Sequence, residues 1–265
     1  MSIIQQEQFQ NFITQTGWDF KQHQFEGYQW VMNKELNENM GGIIGDDMGL
    51  GKTTLMCAAI LKNFKQKTLI VVPPVLVEQW VDILKKHCGI KAVKVTSITK
   101  GYTSVNNYIR NLPEKNDFDE PQVVVTSYGM LMRHKNFGKP TYNCPYHKKA
   151  LRNTRWGRII FDEAHHMRNN KTSTHEGALA LKSKIRWLIT GTPIQNAKSD
   201  FYSLCALIGM SSIYYTNKKN LMEIVKYFIL KRTKQNANII LPECKENTIY
   251  IPWETEEERI LAEDI

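Results

Sequence analysis

The chain has 265 residues, 42% of them hydrophobic and 23% charged, a composition that fits one large or two small folded domains and excludes wholesale disorder. Its longest apolar run, around residues 69–77, is broken by Pro73 and Pro74 and far too short to span a membrane, and the start Met1-Ser2-Ile3-Ile4 has no signal-peptide pattern. Five scattered cysteines (Cys57, Cys88, Cys144, Cys205, Cys244) without a C-x-x-C pair argue against a disulfide scaffold and fit a reducing, intracellular compartment. The net charge of +9 suits a polyanionic partner such as nucleic acid, and equally suits lysines that only keep the protein soluble.

In chain order, the first forty residues read as helices, because Phe9, Phe12 and Ile13, then Phe25, Tyr28, Trp30 and Val31, are spaced to form apolar faces. From about Gly41 short apolar runs alternate with amphipathic stretches. The predicted strands are 42–44, 68–72, 93–95, 122–126, 158–161 and 186–190, rich in β-branched residues and without in/out alternation. Helices are predicted over 53–64, 76–87, 105–112, 129–134, 175–181 and 200–207. Such alternation defines an α/β fold with a mainly parallel sheet and helices on both faces. Residues 135–155, basic and holding Pro140, Cys144 and Pro145, read as a long surface loop inserted into that unit. Beyond residue 210 the chain reads as a connector: a helix over 221–230, a basic link Lys231–Lys234, an extended piece at 247–251 and a helix start at 254–259. The expected division is therefore 1–40, 41–210 and 211–265.

The most informative segment is Gly45-Asp46-Asp47-Met48-Gly49-Leu50-Gly51-Lys52-Thr53-Thr54, which follows a predicted strand and opens a predicted helix, the setting of a phosphate-binding loop. Gly49 and Gly51 let the backbone from Asp47 through Met48, Leu50 and Thr54 curl so that its N–H groups point at phosphate oxygens. Lys52 supplies charge to the β- and γ-phosphates, and the Thr53 hydroxyl a ligand to Mg²⁺. The general pattern G-x-x-x-x-G-K-[ST] asks for glycine at position 46, where this chain has Asp46. A plain glycine-rich turn is the alternative, and the strand before and the Lys52-Thr53 pair after speak against it. The matching acids are Asp162 and Glu163, after the apolar run Ile159-Ile160-Phe161. Asp162 is the candidate Mg²⁺ ligand and Glu163 the group that polarises an attacking water.

With these residues in view, the chain from about Phe20 to its C-terminus resembles the Swi/Snf-type ATPases of helicase superfamily two. Phe20-Lys21-Gln22-His23-Gln24-Phe25-Glu26-Gly27 resembles the family's glutamine motif, which implies that Gln24 recognises adenine. Asp46 falls where this family usually carries Asp. Residues 69–74 with Gln79-Trp80 are similar to motif Ia and Thr126-Ser127-Tyr128 to motif Ib, which implies that Pro73, Trp80, Thr126 and Ser127 lie where one DNA strand's backbone is contacted. Asp162-Glu163-Ala164-His165 is similar to the box motif II, with His165 as a relay. Thr190-Gly191-Thr192-Pro193-Ile194-Gln195-Asn196 is similar to motif III, which couples the nucleotide site to DNA. Arg155-Trp156-Gly157-Arg158, Arg186-Trp187 and Leu230-Lys231-Arg232-Thr233-Lys234 resemble the lodestar, transcription-termination-factor-two and Rad-five/sixteen branch, and baculovirus global-transactivator proteins.

That resemblance implies a RecA-like first lobe that uses ATP and Mg²⁺, moves along double-stranded DNA without separating its strands, and remodels or displaces protein–DNA complexes. It implies a nuclear setting, the host nucleus if the source is viral. Motifs IV to VI, with the family's arginine finger, are not among these residues, so turnover is expected to need a second RecA-like lobe in cis or in trans. The alternative is a non-catalytic module, derived from such a motor, that binds DNA or a partner. A kinase- or transporter-type ATPase would leave motifs Ia, Ib and III as coincidences. Lysines 85, 86, 91, 94 and 100 read as a solvated face or as phosphate contacts, and His134, Cys144 and His147 lack the spacing of a four-ligand zinc set.

Overall fold

The computed structural model describes residues 3–63, 67–96, 122–132, 146–191 and 198–237, with residues 239 and 255. Two N-terminal helices, α1 (Ile3–Thr16) and α2 (Gln22–Leu36), precede β1 (Gly42–Ile44) and α3 (Lys52–Lys62). Then come β2 (Lys67–Val72), α4 (Val77–Cys88), β3 (Val93–Val95), β4 (Gln122–Ser127), α5 (Tyr146–Asn153) and β5 (Arg158–Phe161). The chain continues through α6 (Ser173–Leu179), β6 (Ile185–Ile189), α7 (Lys198–Leu207), α8 (Ser212–Thr216) and α9 (Leu221–Phe228) to β7 (Ile229–Leu230). The strands form one seven-stranded sheet in the order β3-β4-β2-β5-β6-β1-β7, and every pairing is parallel.

Successive side chains of a strand point to opposite faces, and here both faces are covered. Ile44, Ile70, Val72, Val125, Ile160 and Trp187 pack under α1 to α4. Their neighbours Ile43, Leu69, Val71, Val124, Ile159, Phe161 and Leu188 pack on the other side, with Leu151 of α5, Ala178 of α6 and Leu204 of α7. Burial on both faces is why the runs show no polar alternation, and each such side chain contributes about 1.5–3 kcal/mol. The N-terminal helices share the first of these layers: Phe9 stacks on Tyr28 at 4.9 Å and meets Phe25 at 5.7 Å between ring centres.

Buried ionic contacts lock the sheet's N-terminal edge. Arg158, wholly buried at the start of β5, donates from Nε to Glu35 Oε1 at 2.6 Å, from Nη2 to Glu35 Oε2, and to the carbonyls of Ala59 and Asn63 at 3.1 and 2.8 Å. Trp187 Nε1 donates to Glu35 Oε1 at 2.8 Å and Asn63 Nδ2 to Glu35 Oε2 at 2.6 Å. Arg158 and Trp187, from two separate sequence signatures, thus converge on one carboxylate of α2.

The structure corrects three expectations. The stretch 135–155 is not a loop throughout: its last part forms α5, which buries Leu151 completely and receives the Trp156 indole N–H on the Leu151 carbonyl at 2.9 Å. Of the helix expected over 129–134, the described residues form only a 3-10 turn, Tyr128–Met130, where the Tyr128 hydroxyl donates to the Asp162 carbonyl at 2.6 Å. The helix expected over 221–230 stops at Phe228, and Ile229–Leu230 joins the sheet beside β1. The helices expected over 105–112 and from 254, and the extended piece at 247–251, fall outside the described residues.

Because all strands run one way, the loops that follow β1, β2, β4, β5, β6 and β7 meet at one edge, the usual place for ligands in such sheets.

Candidate functional site

At that edge lies a cleft of about 260 Å³. Met48, Gly49 and Gly51 line it from the loop between β1 and α3, and Lys52 and Thr53 from the first turn of α3. Leu76, just before α4, and Gln79, Trp80 and Ile83 of α4 line it too, with Asp162 and Glu163 just after β5. The loop and the acids do not come from neighbouring strands: β6 runs between β1 and β5.

The loop takes its shape from glycines. Gly49 and Gly51 have φ of 86° and 81°, in the left-handed region where a side chain is strained. At Gly51 a Cβ would also lie 2.0 Å from Gln24 Nε2, so a side chain there would displace the Gln24 amide as well as strain the backbone. Helix α3 begins at Lys52, so its first N–H groups, which have no partner within the helix, face the cleft end of the loop. Lys52 Nζ donates to the carbonyls of Asp46 and Asp47 at 2.8 and 3.0 Å. Burial lowers its pKa, against the opposing pull of the Glu163, Asp46 and Asp162 carboxylates.

Asp162 is 9% exposed. Burial pushes its carboxyl above the usual range, while hydrogen bonds from Trp80 Nε1 to Oδ2 (2.8 Å) and from the Glu163 backbone N–H to Oδ1 (3.0 Å) pull it down. Glu163 itself has φ of 50°, a left-handed conformation uncommon outside glycine, and it turns the chain into the 3-10 turn Ala164–Met167. His165 Nδ1 lies 3.0 Å from Glu163 Oε2, and the His165 and His166 rings stack at 4.5 Å.

Several residues occupy positions other than those expected. Trp80, in the segment whose resemblance implies contact with the DNA backbone, is the packed helix residue its apolar ring suggests: it is 2% exposed and braces Asp162 inside the cleft. Thr126 is wholly buried and its hydroxyl donates to the Val95 carbonyl at 2.7 Å, so it too is turned away from a surface contact; Ser127 and Pro73 are partly exposed. Gln24 is 6% exposed behind the loop, with Nε2 3.5 Å from the Leu50 carbonyl, and is not among the residues lining the cleft. Thr190 is buried, its N–H on the Ile44 carbonyl at 3.0 Å, and Gly191 borders Met48. Thr192 and residues 193–196 lie outside the described residues.

Sequence reading missed the contribution of residues 230–234 to the loop. Gly45 N–H donates to the Leu230 carbonyl at 2.7 Å and Asp47 N–H to the Arg232 carbonyl at 3.0 Å. Lys231 Nζ donates to Asp47 Oδ1 at 2.8 Å and to the Gly191 carbonyl at 3.5 Å, and the first of these holds the Asp47 carboxyl below its usual range. The available signal was Asp46: an acid in place of the pattern's glycine calls for a cation from elsewhere.

A parallel sheet with a phosphate-type loop after one strand and an acidic pair after another, facing one cleft, defines a RecA-like ATPase core. A family model described as the SNF2-related domain matches residues 23–218, and the chain belongs to that family. It is 28% identical over 261 residues to "Probable global transactivator" of Orgyia pseudotsugata multicapsid polyhedrosis virus, a match covering 91% of this chain and 48% of that protein. It is 29% identical to "Transcription termination factor 2" of Drosophila melanogaster, over 80% of this chain and 23% of that one. The fold matches the Sulfolobus solfataricus SWI2/SNF2 ATPase core in complex with dsDNA with a TM-score of 0.62 and 25% identity, over 83% of this chain and 46% of that structure. The chain thus spans about half the length of these relatives or less. Membership in this ATPase family implies nucleotide binding and helicase-like ATP hydrolysis as the family's shared chemistry.

Proposed function

We propose that this chain is the ATP-binding lobe of a DNA-dependent ATPase that translocates on duplex DNA and so remodels or displaces bound proteins. The observation that carries this reading is the single cleft shared by Gly49, Gly51, Lys52 and Thr53 on one side and Asp162 and Glu163 on the other. In this reading the loop N–H groups and the N-terminus of α3 hold phosphate oxygens, and Lys52 turns from the Asp46 and Asp47 carbonyls to the β- and γ-phosphates. The donor set suits Mg²⁺, since the Asp162 carboxylate and the Thr53 hydroxyl are hard oxygen ligands on the same cleft. The ion would neutralise phosphate charge there. Glu163, fixed by its left-handed backbone and by His165, orients the attacking water and accepts its proton. Gln24 would reach adenine only by leaving the Leu50 carbonyl, so its contribution in the observed geometry is to brace the loop.

Turnover needs a second RecA-like lobe, in cis or in trans, to supply the arginine that stabilises the transition state, an effect of about 10³–10⁵ in related hydrolases. The DNA partner is supported by the net charge of +9 and by the dsDNA-bound relative. Ser127 and Pro73, at the partly exposed edge beside the cleft, are the candidates for backbone contact, and Thr190 and Gly191 for coupling. A nuclear setting is supported by relatives named as a transcription termination factor and a viral global transactivator; among the described residues no helix is long and apolar enough to cross a membrane.

The test is phosphate release by the purified chain in Mg-ATP, with and without double-stranded DNA, alone and with a polypeptide carrying a second lobe. The expected result is DNA-stimulated release that requires the second lobe and disappears in Glu163→Gln while nucleotide binding persists. Tight DNA binding with no turnover under any of these conditions would favour a non-catalytic module.

A further inference from the structure

Asp46 has a side chain with no exposed surface, and a buried carboxylate is tolerated only when it is paired and hydrogen-bonded. Its partner arrives from 186 residues away. Arg232 Nε lies 3.1 and 3.2 Å from the two carboxylate oxygens, Nη2 donates to Oδ2, and the Arg232 backbone N–H donates to Oδ1 at 2.9 Å. The guanidinium also donates from Nη1 to the carbonyl of His23, next to Gln24, whose amide backs Gly51. Helix α2 leaves room for it at Gly27, where a Cβ would lie 2.8 Å from Arg232 Nη2. Together with the backbone bonds from Gly45 to Leu230 and from Asp47 to Arg232, these contacts hold the entry of the phosphate loop, yet neither Asp46 nor Arg232 lines the cleft.

The loop's other brace is Lys52, whose ammonium holds the carbonyls of Asp46 and Asp47. When Lys52 turns to a phosphate, those two residues lose that donor. We propose that Asp46 and Arg232 form a clasp that keeps the loop in its phosphate-binding shape while Lys52 exchanges partners, so that Arg232 is a positioning residue for the nucleotide site. Through the clasp, the segment leaving β7 is tied directly to the loop, and whatever pulls on residues 230–234 acts on nucleotide affinity. This inference rests on the phosphate-site reading proposed above.

The experiment is a titration of the chain with a fluorescent Mg-ATP analogue, alongside thermal melting and far-ultraviolet circular dichroism, for Arg232→Gln, Asp46→Asn, the double variant, Arg232→Lys, Gly27→Ala and Lys52→Ala. Each of Arg232→Gln and Asp46→Asn is expected to weaken affinity by about tenfold or more, and the double variant no further than the weaker single one, because both remove one interaction. Arg232→Lys should fall between Arg232→Gln and wild type. Gly27→Ala, which keeps both charges but presses on the guanidinium and on Leu55 of α3, should also lose affinity although it touches no nucleotide. Folded variants with lowered melting temperature and unchanged affinity would overturn the clasp. Should the neutralised variants not fold, unchanged affinity in Arg232→Lys and Gly27→Ala would do the same. A wild-type chain that binds no nucleotide, or binds it equally well in Lys52→Ala, would instead defeat the phosphate-site reading itself.

Discussion

Asp162 is subject to opposing demands: burial favours its neutral form, whereas a role as Mg²⁺ ligand needs the carboxylate. The Trp80 indole and the Glu163 backbone N–H resolve the conflict by donating one hydrogen bond to each oxygen. Trp80→Phe removes one donor and keeps most of the ring. A hydrogen bond to a charged group is worth about 1.5–3 kcal/mol, so this variant should bind Mg-nucleotide about tenfold or more weakly in an equilibrium titration. Equal affinity would mean that Trp80 merely fills space. His23 raises a different question at the same scale. Its Nε2 lies 3.1 Å from the Leu50 carbonyl, and burial, opposed by that hydrogen bond and by Asp46 and aided by Arg232 and Lys21, lowers its pKa below the usual 6.5. A histidine with a lowered pKa in the fold takes up its proton more readily when unfolded, so stability holds above the usual value and is lost as pH falls below it. Thermal melting from about pH 7.5 to pH 5 should show this decline, and His23→Gln should flatten it. Parallel profiles for the two proteins would remove His23 from the acid response.

Among the elements, the Glu35 centre joins α2, α3, β5 and β6 at the sheet edge away from the cleft. Glu35→Ala would leave Arg158 buried without its partner and the Trp187 and Asn63 donors unmet. Loss of about 3–5 kcal/mol in urea unfolding is expected, with nucleotide affinity of the folded fraction unchanged. A change below about 1 kcal/mol would show that water replaces the carboxylate without penalty. Elements differed in how plainly the sequence foretold them. Strands such as Lys67–Val72 and Arg158–Phe161 were legible because burial on both faces demands nearly uninterrupted apolar runs. Helix α5 was hidden because it opens directly after Pro145 and its anchor, Leu151, stands among basic residues, so nothing local marks it as core. Strand β7 is two residues long and exists by pairing with β1, a contact that no local pattern announces.

For the molecule as a whole, the same division separates motif from scaffold. That Lys52, Thr53, Asp162 and Glu163 share one cleft was legible because the phosphate and metal chemistry proposed for them restricts residue type over a few consecutive positions. Their supports, Trp80 and Tyr128 on Asp162 and Arg232 on Asp46, lie 82, 34 and 186 residues away and became visible only once the sheet had brought strand ends together. The parallel sheet therefore makes the site twice: it brings the reactive groups to one edge and then returns the chain through β7 to hold the loop from behind. Calorimetric titration of the chain with a non-hydrolysable ATP analogue, with and without Mg²⁺, tests this arrangement most directly. One nucleotide should bind per chain, strongly dependent on Mg²⁺, with binding lost in Lys52→Ala and its Mg²⁺ dependence lost in Asp162→Ala. Binding that is unchanged in both variants, or absent from the wild-type chain, would contradict it.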